Sequence, residues 1–237
     1  MITYTSLEKP NLIALNKLIA NWDTLQLTAE QRKPIEMQNK KLELLTLMKR
    51  YKKAVRNNTV SVTYEYSKNH FIDGRQYAKG TPSLQSMKRW MRHTLAGGAY
   101  RDYDVVNCHP VLFVQYCQKQ SWDTRPFKEY IAQRDECLEE LCEKNTLNRD
   151  DAKAVVLSIL NGGSKAYKAL EFKPYWLQVY KGAVKDIQRK IMADPENAQL
   201  VKAVKEHKAY NIGGSVMNHI LCNIENKVLM SAVSFLV

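Results

Sequence analysis

In the first part of the chain, Leu, Ile, Met and Tyr recur at three- and four-residue spacing, over residues 11–22 and again over 37–56. That period predicts two amphipathic helices. Their other faces carry Lys and Arg, densest in KRYKKAVR from Lys49 to Arg56. The period then drops to two in TVSVTYEYS, with Val60, Val62, Tyr64 and Tyr66 on one face and Ser61, Thr63 and Glu65 on the other, the pattern of a strand. Residues 73–82 hold Gly74, Gly80 and Pro82 and read as a loop, and a basic helix follows in SLQSMKRWMRHTLA. YRDYDVVNCHPVLFVQYC reads as a strand turning sharply into a helix, with Pro110 suited to the first helical position. Residues 121–148 are polar and mixed in sign, which predicts one or two surface helices. Further helices are expected over RDDAKAVVLSIL, around 174–192, and from the pair Gly213-Gly214 to the end, the last of them largely apolar. No repeat and no low-complexity segment interrupts this order. Helices, a few strands, then mostly helices predict an α+β fold.

One of these helices raises a chemical question. In RDDAKAVVLSILNGGS, Arg149, Lys153, Leu157 and Asn161 are four residues apart and fall along one stripe, roughly 18 Å long at about 1.5 Å per residue. Two cations so placed either grip a polyanion or sit solvated at the rim of an amphipathic helix that Gly162-Gly163 merely ends. The formal net charge of +12 and the pI of about 9.4 favour the polyanion, nucleic acid before an anionic membrane surface. Thirteen tyrosines dispersed among the basic residues suit stacking on bases, and equally suit ordinary cores.

The five cysteines (Cys108, Cys117, Cys137, Cys142 and Cys222) are odd in number and form no CxxC pair, which points to a reducing intracellular compartment, the cytoplasm or nucleus of a host. Cys108-His109 with Cys117 lacks the fourth ligand and the spacing of a zinc site. The N-terminus has no basic leader, and no run reaches the roughly 18 apolar residues of a membrane span. A soluble protein without a membrane partner is the expectation.

Asp104 closes a predicted strand just before a turn and a helix. A carboxylate there holds a hard cation such as Mg²⁺ in a cleft; alternatively Asp102 and Asp104 are simple turn residues. Beside the Arg149/Lys153 helix the first reading makes chemical sense. Nucleotidyl transfer needs metal on the reacting oxygens and cations on the departing pyrophosphate.

Read in order, these blocks resemble the core of a family A DNA polymerase, the class of bacterial DNA polymerase I. GRQYAKGTPSLQSM is similar to a stretch with Gly-Arg followed by Pro-Asn-Leu-Gln-Asn, matched at Gly74, Arg75, Pro82, Leu84 and Gln85. KRWMRHTLAGGAYRDYDVVNCHPVL resembles the segment leading into motif A. RDDAKAVVLSILNGGS resembles motif B, Arg-x3-Lys-x3-Phe-x3-Tyr-Gly, at Arg149, Lys153, Leu157, Asn161 and Gly162. NIGGSVMNHIL is similar to a palm helix. The resemblance spans roughly residues 70–237.

It implies a right-hand polymerase architecture with a small incomplete palm sheet, from strands near 60–66 and 100–106. A thumb-like helical segment would occupy 1–66, the palm part 67–120, helical fingers 121–200 and a palm return helix 201–237. Asp104 becomes the metal ligand of a two-Mg²⁺ site, with Asp102 the alternative, and His109 stands where a Glu senses the sugar. Arg149 and Lys153 hold the triphosphate, and Lys153 also protonates the leaving pyrophosphate. Leu157, Asn161 and His109 border the nucleotide, and Arg75, Gln85 and Arg92 lie along the duplex. The implied function is template-directed DNA synthesis, with primer–template DNA and dNTPs as partners. The size suits a compact viral or plasmid enzyme.

The departures are as specific as the matches. Leu157 and Asn161 replace aromatic residues, and His109 in place of Glu opens the gate to ribonucleotides. No His-Asp pair supplies motif C. The sequence ends at KVLMSAVSFLV, near where that hairpin should begin, so a polymerase core cut before motif C is expected. Glu225, the substitute carboxylate, falls inside a predicted helix. The alternatives are a non-catalytic nucleic-acid-binding protein on a degenerate polymerase core, and a polymerase of RNA templates or ribonucleotides.

Overall fold

A computed structural model describes residues 4–25, 38–66, 74–101 and 105–236. The chain is mostly helical with one small three-stranded antiparallel sheet, an α+β fold. It divides into two compact units, Met1–Asp104 and Val105–Val237.

The first unit carries the sheet: β1 (Tyr4–Glu8), β2 (Val60–Tyr66) and β3 (Gln76–Lys79), with β2 in the middle. β1 pairs with β2 from Tyr4↔Tyr64 to Glu8↔Val60, and β2 with β3 from Thr63↔Lys79 to Tyr66↔Gln76. Val60 and Val62 are fully buried on one face, beneath α1 (Leu12–Ala20), α2 (Gln38–Ala54) and α3 (Arg89–Ala96). α1 begins at Asn11, whose side chain accepts the Ala14 N–H at 3.0 Å, and it turns Leu15 and Leu18 inward. Trp22 stacks on Trp90 of α3 with ring centroids 6.3 Å apart.

One carboxylate joins these elements. Glu8 is 6 % exposed and accepts hydrogen bonds from Tyr51 Oη of α2 (2.8 Å), Tyr64 Oη of β2 (2.8 Å) and the Leu84 N–H (2.9 Å to Oε2). Leu84 opens a 3-10 turn, Leu84–Ser86. Burial first, and then the Glu8 charge, push both tyrosine hydroxyls far above the usual tyrosine range, so they remain donors. On the opposite face Glu65 is also covered, paired at 2.6 Å with Lys79 across the β2–β3 ladder.

The second unit is helical: α4 (Cys108–Lys119), α5 (Arg125–Ala132), α6 (Arg134–Asn145), α7 (Arg149–Leu160), α8 (Lys165–Ala169), α9 (Tyr175–Ala193), α10 (Ala198–His207) and α11 (Ile212–Leu236). α9 runs through it, touching α5, α7, α10 and α11. Edge-to-face rings fill its centre, with Phe113 to Phe127 at 4.8 Å and Phe127 to Tyr180 at 5.2 Å.

Several expectations change. The loop over 73–82 contains β3, because Tyr77 and Ala78 complete the ladder of β2 beside the left-handed Gly80. The strand near 100–106 is absent from its described residues, Tyr100, Arg101, Val105 and Val106, and 102–104 lie outside them. β1, α8 and α10 are additional. Two helices do occupy 121–148, but Phe127, Tyr130, Leu138 and Leu141 are core residues rather than surface ones. Pro110 is the third helical residue of α4, still in the first turn, where an N–H has no partner within the helix.

Replacing Glu8 by Ala leaves two hydroxyls and one buried N–H without their acceptor. We expect a loss of about 3 kcal/mol in urea unfolding of the chain. A change below about 0.5 kcal/mol, the size of an ordinary surface substitution, would deny the carboxylate this role.

Candidate nucleic-acid interface

The two Asn-Gly segments of the sequence meet in space. α7 stops at Asn161, and Gly162 takes φ +74°, the left-handed conformation that ends a helix at little cost to glycine. Asn211, one residue ahead of α11, donates from Nδ2 to the Asn161 carbonyl at 2.9 Å. The approach leaves no room for side chains. A Cβ on Gly214 would fall under 3.0 Å from the Asn161 carbonyl, and one on Gly162 would meet Gln188 Nε2 of α9 at 2.9 Å. The first turn of α11 is thereby held against α7 and α9.

Beside this junction lies a shallow concavity of about 650 Å³, lined by Lys185, Gln188, Arg189, Met192, Ala193, Lys205 and Gly213. Lys185 and Arg189 of its basic wall continue a stripe on α9 that begins at Lys181, at four-residue steps. Positive charge is crowded here. Desolvation first, then the neighbouring Lys185, Lys168 and Lys173, lower the Lys181 ammonium below the usual lysine value. Lys181 Nζ lies 3.7 Å from the centre of the Tyr167 ring, a cation–π contact on α8. Arg189 also pairs with Asp186. Within this junction Gln188 Nε2 and Asn161 Oδ1 are buried without a hydrogen-bond partner among the described residues. Backbone N–H groups at a helix start, lysines and an arginine are the groups that suit an anion, and an aromatic ring stands at the Lys181 end of the stripe.

The residues singled out from sequence are distributed over both units. Arg149 and Lys153 do project from one side of α7, but Arg149 pairs with Asp135 of α6, and Lys153 with Asp150 at 3.0 Å. Asp150 and Asp151 sit in the first turn, where the helix dipole favours acids, and Asn148 caps the Asp151 N–H at 2.9 Å. Leu157 is 41 % exposed on the same helix. Asn161 is structural in its backbone, accepting from Asn211. His109, at the start of α4, places Nε2 3.4 Å from Glu225 Oε2 of α11. The ligand atoms of His109, Cys222 and Glu225 all lie within 4.8 Å of one another.

In the first unit Gln85 ties the 3-10 turn to β3, accepting the Ala78 N–H at 3.2 Å and donating to the Gln76 carbonyl at 3.0 Å. Arg75 is exposed beside β3, and Arg92 is half-buried on α3. Asp104, the expected Mg²⁺ ligand, and its alternative Asp102 lie outside the described residues. The α9 stripe was not among the expected site residues. Its signal is the four-residue step in YKGAVKDIQRK, the same step that singles out Arg149 and Lys153.

No protein-family model matches the chain, and no solved structure matches it. The chain is 28 % identical over 187 residues to a protein described as putative helicase V13 of Sputnik virophage, covering 74 % of this chain and 23 % of that protein. It therefore spans about a quarter of the relative's length. This match corrects the expectation of template-directed DNA synthesis, on DNA or RNA templates and with either sugar, because the protein it finds is described as a helicase and not as a polymerase. The resemblance rested on short blocks of common residue types. In motif B those residues, Arg149 and Lys153, carry acidic partners here. No helix among the described residues is long and apolar enough to cross a membrane.

Two glycine substitutions test the junction by moving in opposite directions. Gly214→Ala forces a Cβ into backbone and is expected to cost about 2–3 kcal/mol despite alanine's better helix propensity. Gly182→Ala, mid-helix in α9 with nothing within 4 Å, should gain about 0.5–1 kcal/mol. Denaturation midpoints moving the same way for both would refute the close approach.

Proposed function

We propose that this chain is a nucleic-acid-binding part of a helicase-like protein, taking the phosphate backbone along the α9 stripe. The observation that carries the proposal is the line of Lys181, Lys185 and Arg189 along α9, whose last two members line the concavity beside the first turn of α11. The net charge of +12 and the match to a putative helicase of a virophage point the same way, to nucleic acid in a viral setting. Neither supports dNTPs as ligands.

The mechanism is electrostatic. Each cation that replaces a condensed counterion on a phosphate releases that counterion to solution, so affinity falls as salt rises. Tyr167, with Lys181 on one face of its ring, holds that cation at the end of the stripe. The 237 residues contain no Gly-x4-Gly-Lys-Ser/Thr phosphate loop. The proposal therefore gives them the binding step and not ATP hydrolysis.

Fluorescence anisotropy on a labelled single-stranded DNA, repeated across a salt series, tests it. Lys185→Gln with Arg189→Gln should weaken binding and flatten the plot of log affinity against log salt by about 0.7 per lost contact on single strands. Lys144→Gln with Lys128→Gln, an equal loss of two charges on α6 and α5, should leave the slope alone. Salt-independent binding, or a double variant that behaves like the control, would refute the proposal.

A further inference from the structure

Away from the α9 stripe, two helices bring together three side chains whose chemistry suits a transition metal. Cys222 and Glu225 are three residues apart on α11 and so face one side of it. His109 comes from the first turn of α4, which packs against α11. His109 Nε2 and Glu225 Oε2 are 3.4 Å apart, and all three ligand atoms lie within 4.8 Å of one another. Cys222 is 8 % exposed, and the side chains of His109 and Glu225 are 13 % and 31 % exposed. The cluster is thus covered on the cysteine side and reaches solvent at the carboxylate.

We propose that His109, Cys222 and Glu225 form a three-ligand site for a Zn²⁺-class ion, with a fourth position open on the Glu225 side. A tetrahedral ion with bonds of about 2.0–2.3 Å needs ligand atoms about 3.3–3.6 Å apart. The imidazole and carboxylate already stand at that separation, and the thiol reaches it with a displacement of about 1 Å, within the range of a side-chain adjustment. One nitrogen, one sulfur and one oxygen select zinc or its neighbours over Mg²⁺, which takes oxygen ligands in an octahedron. On binding, the thiol gives its proton to solvent and coordinates as thiolate, with no change of oxidation state. Asn218 lies one turn before Cys222, and its amide oxygen is 3.9 Å from Cys222 Sγ. The same amide, rotated, donates an N–H to the thiolate and orients it.

The site does not depend on the proposed nucleic-acid surface, and its test does not use nucleic acid. The full chain, stripped with a chelator, is titrated with Co²⁺ as a spectroscopic substitute for Zn²⁺, and then with Zn²⁺ against a competing chelator. The expected result is one ion per chain, with thiolate-to-cobalt charge-transfer absorption and the visible bands of four-coordinate Co²⁺. Cys222→Ser should abolish the charge-transfer band. His109→Ala and Glu225→Gln should each weaken Zn²⁺ by more than the roughly 10- to 100-fold that loss of an outer-shell partner costs. Cys142→Ser on α6 should change nothing. Circular dichroism checks that each variant is folded, and Glu225→Gln, at the exposed edge, guards against a Cys222 variant that fails to fold. Absence of stoichiometric binding, or a charge-transfer band that survives Cys222→Ser, overturns the proposal. So does a folded Glu225→Gln that binds Zn²⁺ like the unaltered chain, which would leave His109 and Glu225 as an ion pair.

Discussion

The arrangement of the helical unit depends on a contact that only glycine permits. Asn161-Gly162 at the end of α7 and Asn211 to Gly214 at the start of α11 approach until a Cβ on Gly162 or Gly214 would collide with its neighbours. The left-handed Gly162 turns the chain away, and Asn211 closes the gap through the Asn161 carbonyl. With α11 fixed there, its first turn stands beside Gln188 and Arg189 of α9, and Lys205 of α10 completes the concavity. A methyl group at either glycine would push α11 away from α7 and α9, and α9 and α11 both line the basic concavity. The constraint is steric rather than attractive, and the hydrogen bond at 2.9 Å confirms the register.

Charge alone did not identify that surface, and the reason is physical. Arg149 and Lys153 have the same four-residue spacing as Lys181, Lys185 and Arg189, yet each sits next to an aspartate. An exposed pair of this kind contributes little to stability, about 0–1 kcal/mol, but it cancels the local field that a phosphate would feel. On α9 lysine faces lysine. The Lys181 ammonium is lowered first by desolvation and then by Lys185, Lys168 and Lys173 around it. Asp186 beside Arg189 tempers one end of the stripe only. Spacing along one helix is visible in a sequence, whereas the acid that another helix brings alongside, as Asp135 of α6 is brought to Arg149, is not.

The same distinction separates what was legible in this chain from what was not. Helical periodicity marked α1 and α2, and alternation marked β2, because each buries a face of its own, and α7, α9 and α11 were also read as helices. β1 escaped because Tyr4–Glu8 has no apolar alternation. Leu7 points outward at 62 % exposure, and the buried residue is Glu8, held by donors that arrive from Tyr51, Tyr64 and Leu84, 43 to 76 residues away. β3 escaped because a strand of four residues exists only through pairing with β2. The candidate site behaved likewise. His109 and Glu225 were both noticed in the sequence, one as a sugar gate and one as a substitute carboxylate. Their separation of 116 residues hid that they face each other.

α11 joins the two chemical features of the helical unit. Its first turn is clamped by the glycine junction, and Cys222 and Glu225 lie nine and twelve residues beyond Gly213, about 14–18 Å along a helix. A helix is stiff over that length, so its position is overdetermined when both points are held, by the junction at one and by His109 of α4 at the other. Between them Val216, Met217 and Leu221 are buried and carry the apolar packing. An ion at His109, Cys222 and Glu225 would exchange a long His–Glu contact for three short bonds, tightening α4 onto α11.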